Sequence, residues 1–280
     1  MPVVYSQENL QYMIAKLAGL LFFILIQACA HGAQPKINQE LNLAPRSNHQ
    51  LSGASVSKQL AKLSSKKREE RIYREVASGN IPSFLRDLSP VKLFLTNGKT
   101  AIIYVTRDYI SIGSEDDFIR MPMALPTALR IARKVEMDLP TPEMVDAIYR
   151  SAEVKLSPRF LPPGKDMVTL PYFVKHNRII QRSMSNSQTK LLVSGHKKDI
   201  IKPTIADRRR LAIYGWHHSV DRVQQPLSRA HHRYYVDYSH GVRLVSKNAL
   251  VDNRLVPTSQ IIGLISKDPV SNKFDEDPLW

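Results

Sequence analysis

The chain has 280 residues, with 40 Lys and Arg against 25 Asp and Glu, nine His, 18 Pro and one Cys, a formal net charge of +15. That length admits one large domain or two small ones with a real core, and a composition 43% hydrophobic and 23% charged excludes both a wholly disordered chain and a polytopic membrane protein. One cysteine excludes an internal disulfide framework and any multi-cysteine zinc or iron–sulfur centre.

Residues 17–30 read LAGLLFFILIQACA. The apolar run at 17–26 is about ten residues, short of the roughly 20 that span a bilayer, and has the length of a signal-peptide core. Lys16 precedes it and the small residues Ala28 and Ala30 flank Cys29, so residues 1–30 are expected to be a signal peptide or lipoprotein leader. Ile26-Gln27-Ala28-Cys29 also resembles the bacterial lipobox, which makes Cys29 the expected lipidation site. The first twelve residues carry Glu8 and no base, whereas Met13-Ile-Ala-Lys16 is a better start for an export signal. Residues 31–57, rich in Asn, Gln, Ser and Pro, read as a tether, and residues 55–77 as a charged surface helix. Residues 31–79 together are therefore expected to precede a single α+β domain at 80–280.

Within that domain Thr96-Asn97-Gly98 separates two apolar runs, at 91–95 and 99–105, which is a hairpin signal because Asn-Gly accepts the positive φ of a tight turn. Residues 109–112 and 118–121 suit further short strands. Two helices follow, at 127–137 and 141–152, the second capped by Thr141 with Pro142 at its first position. A Pro-rich loop at 158–164 leads to a helix at 171–183. From 190 the pattern changes to short strands at 191–194, 200–205, 211–214, 234–238 and 242–246, with a last helix at 259–266. Strands and helices are segregated, so the expected class is α+β: a small N-terminal sheet with two helices, then a mostly β, histidine-rich half.

Seven of the nine histidines, His176, His196, His217, His218, His231, His232 and His240, fall between residues 176 and 240. Three phrases set His near Gly at strand ends: Ser194-Gly195-His196-Lys197-Lys198-Asp199, Tyr214-Gly215-Trp216-His217-His218, and Asp237-Tyr238-Ser239-His240-Gly241. Strand ends can gather imidazoles on one rim, and imidazole either ligates zinc or transfers protons near neutral pH. His196, Asp199, His217, His231, Asp237 and His240 are the candidate catalytic residues. His196, His217 and His240 are the candidate ligands if a divalent metal such as zinc is bound, and Asp199 or Asp237 can ligate or orient a ring. Without metal, an Asp–His pair serves as general base, with Ser239, Ser194 or water as nucleophile. Lys197, Lys198, Arg243 and Trp216 are the candidate substrate-binding groups. The acidic run Glu115-Asp116-Asp117 suits a solvated turn or a helix start, and enters the site only if the fold carries it to the histidine rim.

Ser239-His240-Gly241-Val242-Arg243-Leu244 resembles the Ser-His-Gly-Cys signature of L,D-transpeptidases, peptidoglycan cross-linking enzymes that use a cysteine nucleophile. Here Val242 stands in place of that cysteine, and the sole cysteine, Cys29, lies in the leader; the resemblance supplies His240 and no nucleophile. Ser194-Gly195-His196 followed by Asp199 is loosely similar to zinc D-Ala-D-Ala peptidases, with shorter spacing. Over residues 80–247 the three histidine phrases resemble a family of exported bacterial proteins, which implies export and no particular reaction. Since residues up to 35 carry only Glu8 and Lys16, the mature chain keeps its charge. Joined to export, that charge points to an anionic envelope polymer or a membrane surface rather than to nucleic acid, for which no recognition motif is present. The expectation is an exported, envelope-associated hydrolase, in the periplasm, outer membrane or outside the cell. The alternative is a non-enzymatic envelope-binding lipoprotein with a basic surface.

Overall fold

The computed structural model describes residue 37, residues 39–204, residue 206 and residues 209–267. The expected leader, with Cys29 and the alternative start at Met13, lies outside the described residues. Helices and several sheets segregate as an α+β fold.

Within the segment expected to be a tether and a surface helix, residues 39–79 are instead part of the domain. Helices α1 (Gly53–Leu60) and α2 (Ser65–Ala77) replace the single helix. Val56, Leu60, Ile72 and Val76 are buried in the main apolar cluster with Leu41, Ile81 and Leu85. Lys66 and Lys67 are exposed on α2 and Arg68 is half-buried. The charges thus mark one solvated face of an amphipathic helix whose other face is core. Buried Asn80 ties the segment down: its Nδ2 donates to Glu75 Oε2 at 2.6 Å and to the Leu51 carbonyl at 3.0 Å, and its Oδ1 accepts from Arg46 Nε at 2.9 Å.

Strands β1 (Leu88–Phe94) and β2 (Thr100–Thr106) form the expected hairpin, in register Leu93 to Ala101, with Gly98 at φ +80° in the turn. Strands β3 (Ser111–Gly113) and β4 (Phe118–Arg120) pair with each other. Asp117 of the acidic run faces α1, its Oδ1 accepting from Ala54 N at 3.0 Å, and Glu115 bonds Ser83 N. Neither carboxylate joins the histidines.

Helix α3 (Leu125–Lys134) precedes the two-residue strand β5 (Met137–Asp138). Helix α4 (Pro142–Ser151) starts where Thr141 Oγ1 accepts from Met144 N, as the sequence implied. Strand β6 (Val154–Lys155), the Pro-rich loop and α5 (Leu170–Arg182) follow. Strands β7 (Val193–Ser194), β8 (Lys198–Ile200), β9 (Ile213–Ser219), β10 (Arg222–Ser228) and β11 (His240–Gly241) make up most of the histidine-rich half. The chain closes with β12 (Val245–Ser246), β13 (Asn248–Val251), β14 (Arg254–Pro257) and the short α6 (Thr258–Ile261).

One sheet runs β14-β13-β2-β12-β5, with β1 also on β2; a second runs β10-β9-β8-β11. In the second, β8 is antiparallel to β9 and parallel to β11, so Lys198 lies opposite both Gly215 and His240. Residues 234–238 form no strand. Local side chains compete for that backbone: His232 Nδ1 accepts from Tyr234 N at 3.1 Å, and Asp237 Oδ1 from Ser239 N at 2.7 Å. No helix among the described residues is long and apolar enough to cross a membrane.

Candidate functional site

Strand β8 and its approaches bring the three histidine phrases together. Gly195, at φ +97°, bends the chain from β7 into β8, and a Cβ there would lie 2.4 Å from the Leu156 carbonyl oxygen. Only glycine fits. On β9 two consecutive residues, Gly215 (φ +101°) and Trp216 (φ +57°), leave the extended region. The kink lets neighbours that would alternate in a regular strand both turn inward, for Trp216 and His217 are both buried.

Of the four expected catalytic histidines, His196, His217 and His240 each meet their own carboxylate. His196 Nε2 donates to Asp108 Oδ1 at 3.1 Å. Asp108 also holds Arg120 through its other oxygen, at 2.9 Å from Nε and 2.6 Å from Nη2. Burial alone would raise the Asp108 carboxyl, but Arg120 and His196 outweigh it and hold it far below the carboxylate range. Burial pushes His196 down to about 4, against the pull of Asp108. Its Nδ1 is buried with no hydrogen-bond partner among the described residues.

His217 Nε2 donates to Asp146 Oδ1 at 2.9 Å, and the Tyr214 hydroxyl donates to the same carboxylate at 2.9 and 3.2 Å. The His217 ring stacks on Tyr149, centroids 4.4 Å apart. His217 is 1% exposed in its side chain, while Asp146 is 23% exposed. Of the three carboxylates this one alone reaches solvent to any extent, since Asp108 is 0% and Asp237 3% exposed.

The third pair has a different geometry. His240 Nε2 lies 3.4 Å from Asp237 Oδ2, and its Nδ1 accepts from Asp237 N at 3.5 Å, so residue 237 faces both ring nitrogens. Asp237 Oδ1 takes both the Ser239 amide at 2.7 Å and the Ser239 hydroxyl at 2.5 Å. The carboxylate therefore stands between serine and histidine. A serine nucleophile needs the histidine in the middle to take its proton, so Ser239 is not activated here. Burial lowers His240 to about 4; burial would raise Asp237, but His240 and the Ser239 hydroxyl hold it below its ordinary value.

Asp199 lies beside the His196 pair through Tyr109. Its Oδ2 accepts from the Tyr109 hydroxyl at 2.8 Å, and the Tyr109 ring meets His196 edge-on at 4.9 Å. Burial lifts the Asp199 carboxyl to about 6, against Arg243 and the Tyr109 hydroxyl, and the charges of His217 and Asp146 also act on it. Gly241 makes this possible, because a Cβ there would lie 2.5 Å from the Tyr109 ring.

Several expectations are corrected by this geometry. His196, His217 and His240 do not form a common ligand set, because each ring is turned to a different carboxylate. Among the described residues no three of His, Cys, Asp and Glu converge as metal ligands do. His231 is half-buried and stacks on Tyr235 at 3.9 Å rather than joining a rim. Arg243 is fully buried, its Nη1 and Nη2 donating to the Thr106 and Val193 carbonyls at 2.6 Å each, so it serves as a strut between chain segments. Lys197 is buried as well, its Nζ donating to the Tyr238 carbonyl at 2.6 Å, and burial lowers it to about 7. Trp216 packs edge-on against Phe160 at 4.7 Å. Lys198 remains half-buried with its ammonium 5.0 Å from the Trp216 ring. His218 is bonded to Gln224 at 3.0 Å, which leaves His217 as the inward member of its pair.

The chain matches no protein-family model, no curated protein and no solved structure. The residues themselves carry the functional reading.

Sequence reasoning missed Asp108, Tyr109, Arg120 and Asp146, all outside the histidine-rich segment. Asp146 left no trace: it lies off the apolar stripe Met144, Val145, Ile148 and Tyr149 of its helix, where an acid is ordinary. Asp108 and Tyr109 follow an apolar strand, which by itself marks nothing.

Proposed function

We propose that the chain is an exported, envelope-associated hydrolase in which His217, backed by Asp146, is the general base. One observation carries the reading. Asp146 fixes the proton on His217 Nε2, the Nδ1 lone pair makes no hydrogen bond within the described chain, and the supporting carboxylate touches solvent. In this reading His217 Nδ1 takes a proton from water as the water oxygen attacks the scissile carbonyl carbon. Asp146 stabilises the imidazolium that forms. Asp199, titrating near 6 and sensitive to both charges, returns a proton to the leaving group. His196–Asp108–Arg120 and His240–Asp237–Ser239 hold the surrounding strands in place. Export rests on the apolar run at 17–26, with Cys29 as the proposed lipid anchor; intact mass of the membrane-extracted protein reads both, and an unmodified chain beginning before residue 20 contradicts them.

The reaction is tested with full-length mature protein on peptidoglycan sacculi and on a panel of ester and amide substrates. Asp146→Asn is expected to lower turnover by about 10²-fold or more with little change in Tm. No turnover by the wild type on any substrate, or full turnover by the variant, overturns the assignment.

A further inference from the structure

A second functional feature lies between α1 and α5, away from the histidines. On α5, Lys175, Arg178 and Arg182 stand at spacings of three and four, which places them on one stripe about 10 Å long. Lys58 of α1 lines the same groove from the other side, and the groove encloses about 610 Å³. All four cations are exposed. None of them has an ion-pair partner among the described residues; Lys175 has only the Tyr172 ring, 5.8 Å away. The one carboxylate in the lining, Asp117, is engaged with the start of α1. The facing side of α1 is made of Ala54, Ser57 and Ala61, small enough to admit a chain close to the helix.

Four unpaired cations in one concavity hold one another at an electrostatic cost that an anionic occupant relieves. A single strand of nucleic acid needs aromatic faces on which bases stack, and the lining offers none that is exposed, since its only aromatic, Phe118, is buried. A flat bilayer meets the rim of a concavity and not its wall. Arg178 and Arg182 present guanidinium forks matched to phosphate oxygens. We infer that the groove between α1 and α5 binds a linear phosphodiester polymer without bases, the chemistry of cell-envelope polyol phosphates. The envelope source of that polymer rests on the proposed export, whereas the site stands independently of the proposed hydrolysis.

The test is fluorescence anisotropy of a labelled glycerol-phosphate oligomer with the full chain at several salt concentrations. Four contacts give an expected slope of log K against log salt of about −2.8, at roughly −0.7 per contact. The triple variant Lys175→Ser, Arg178→Ser, Arg182→Ser is expected to weaken binding at least about tenfold, and Lys58→Glu on the opposite helix to weaken it several-fold. A matched control, Lys66→Ser, Lys67→Ser, Arg68→Ser on α2, is expected to stay within about twofold of the wild type. Equal loss in the two triple variants means that net charge alone acts, and overturns the proposal. So does absence of binding by the wild type, equal affinity for single-stranded DNA of the same charge, or binding to anionic vesicles with none to the oligomer.

Discussion

At the residue scale the molecule separates three superficially equivalent histidine–carboxylate pairs by what else each group touches. Burial has taken His176, His196 and His240 well below the ordinary imidazole value, to about 2, 4 and 4. The unfolded chain therefore binds their protons first as pH falls through 6.5, and folded stability falls with it. Asp199 acts in the opposite sense: its folded value near 6 lies above the unfolded one near 4, so its contribution is present below pH 4 and is lost as pH rises through 6. Thermal unfolding of Asp199→Asn against the wild type is expected to show the variant gaining in relative Tm between pH 4 and 6.5; a pH-independent difference refutes the buried, raised carboxyl. Gly241→Ala is expected to cost about 1–3 kcal/mol in urea unfolding, because its methyl would press on the Tyr109 ring. The clustering of histidines between residues 176 and 240 was legible in the sequence. Their partners Asp108 and Asp146 were not legible, because contact between residues 71 and 88 positions apart is a property of the fold.

Among the elements, those with strong local chemistry were readable. The Asn97-Gly98 turn, the Thr141 cap with Pro142, and the helix at 170–182 form close to where their signals stand. Elements whose shape depends on distant packing were not. The β13–β14 hairpin turns on Asp252 and Asn253, both at positive φ, a pairing that spacing alone left unmarked. Residues 234–238 alternate like a strand, yet their Asp and His side chains bind the local backbone and prevent one. Strand β9 continues through the glycine that looked like its end. Gly215→Ala is expected to destabilise by about 1–2 kcal/mol, since φ +101° is strained for alanine and its Cβ would lie 3.1 Å from Val145 Cγ1. It should also misplace His217, so turnover per folded molecule falls along with Tm. Thr141→Ala is a simpler case, with about 1 kcal/mol lost from the start of α4. Equilibrium unfolding of both variants checks the two costs.

Across the described molecule the polar composition of the segment concealed a structural role for residues 39–79. Their apolar residues are few but regularly placed, and Val56, Leu60, Ile72 and Val76 all enter the main core. Leu60→Ala is accordingly expected to cost about 2–5 kcal/mol, a loss no surface tether would produce. A chain begun at residue 37 should unfold cooperatively, whereas one begun at residue 81 should not. The same organisation places the proposed base on a sheet secured by two buried polar networks, so that catalysis and stability are separable by substitution. Parallel measurement of turnover and Tm for His217→Asn and His196→Asn tests this division. The account predicts that His217→Asn loses about 10²-fold or more in turnover with a small change in Tm, while His196→Asn lowers Tm and keeps turnover per folded molecule. Full turnover in His217→Asn, with loss in His196→Asn, would contradict it.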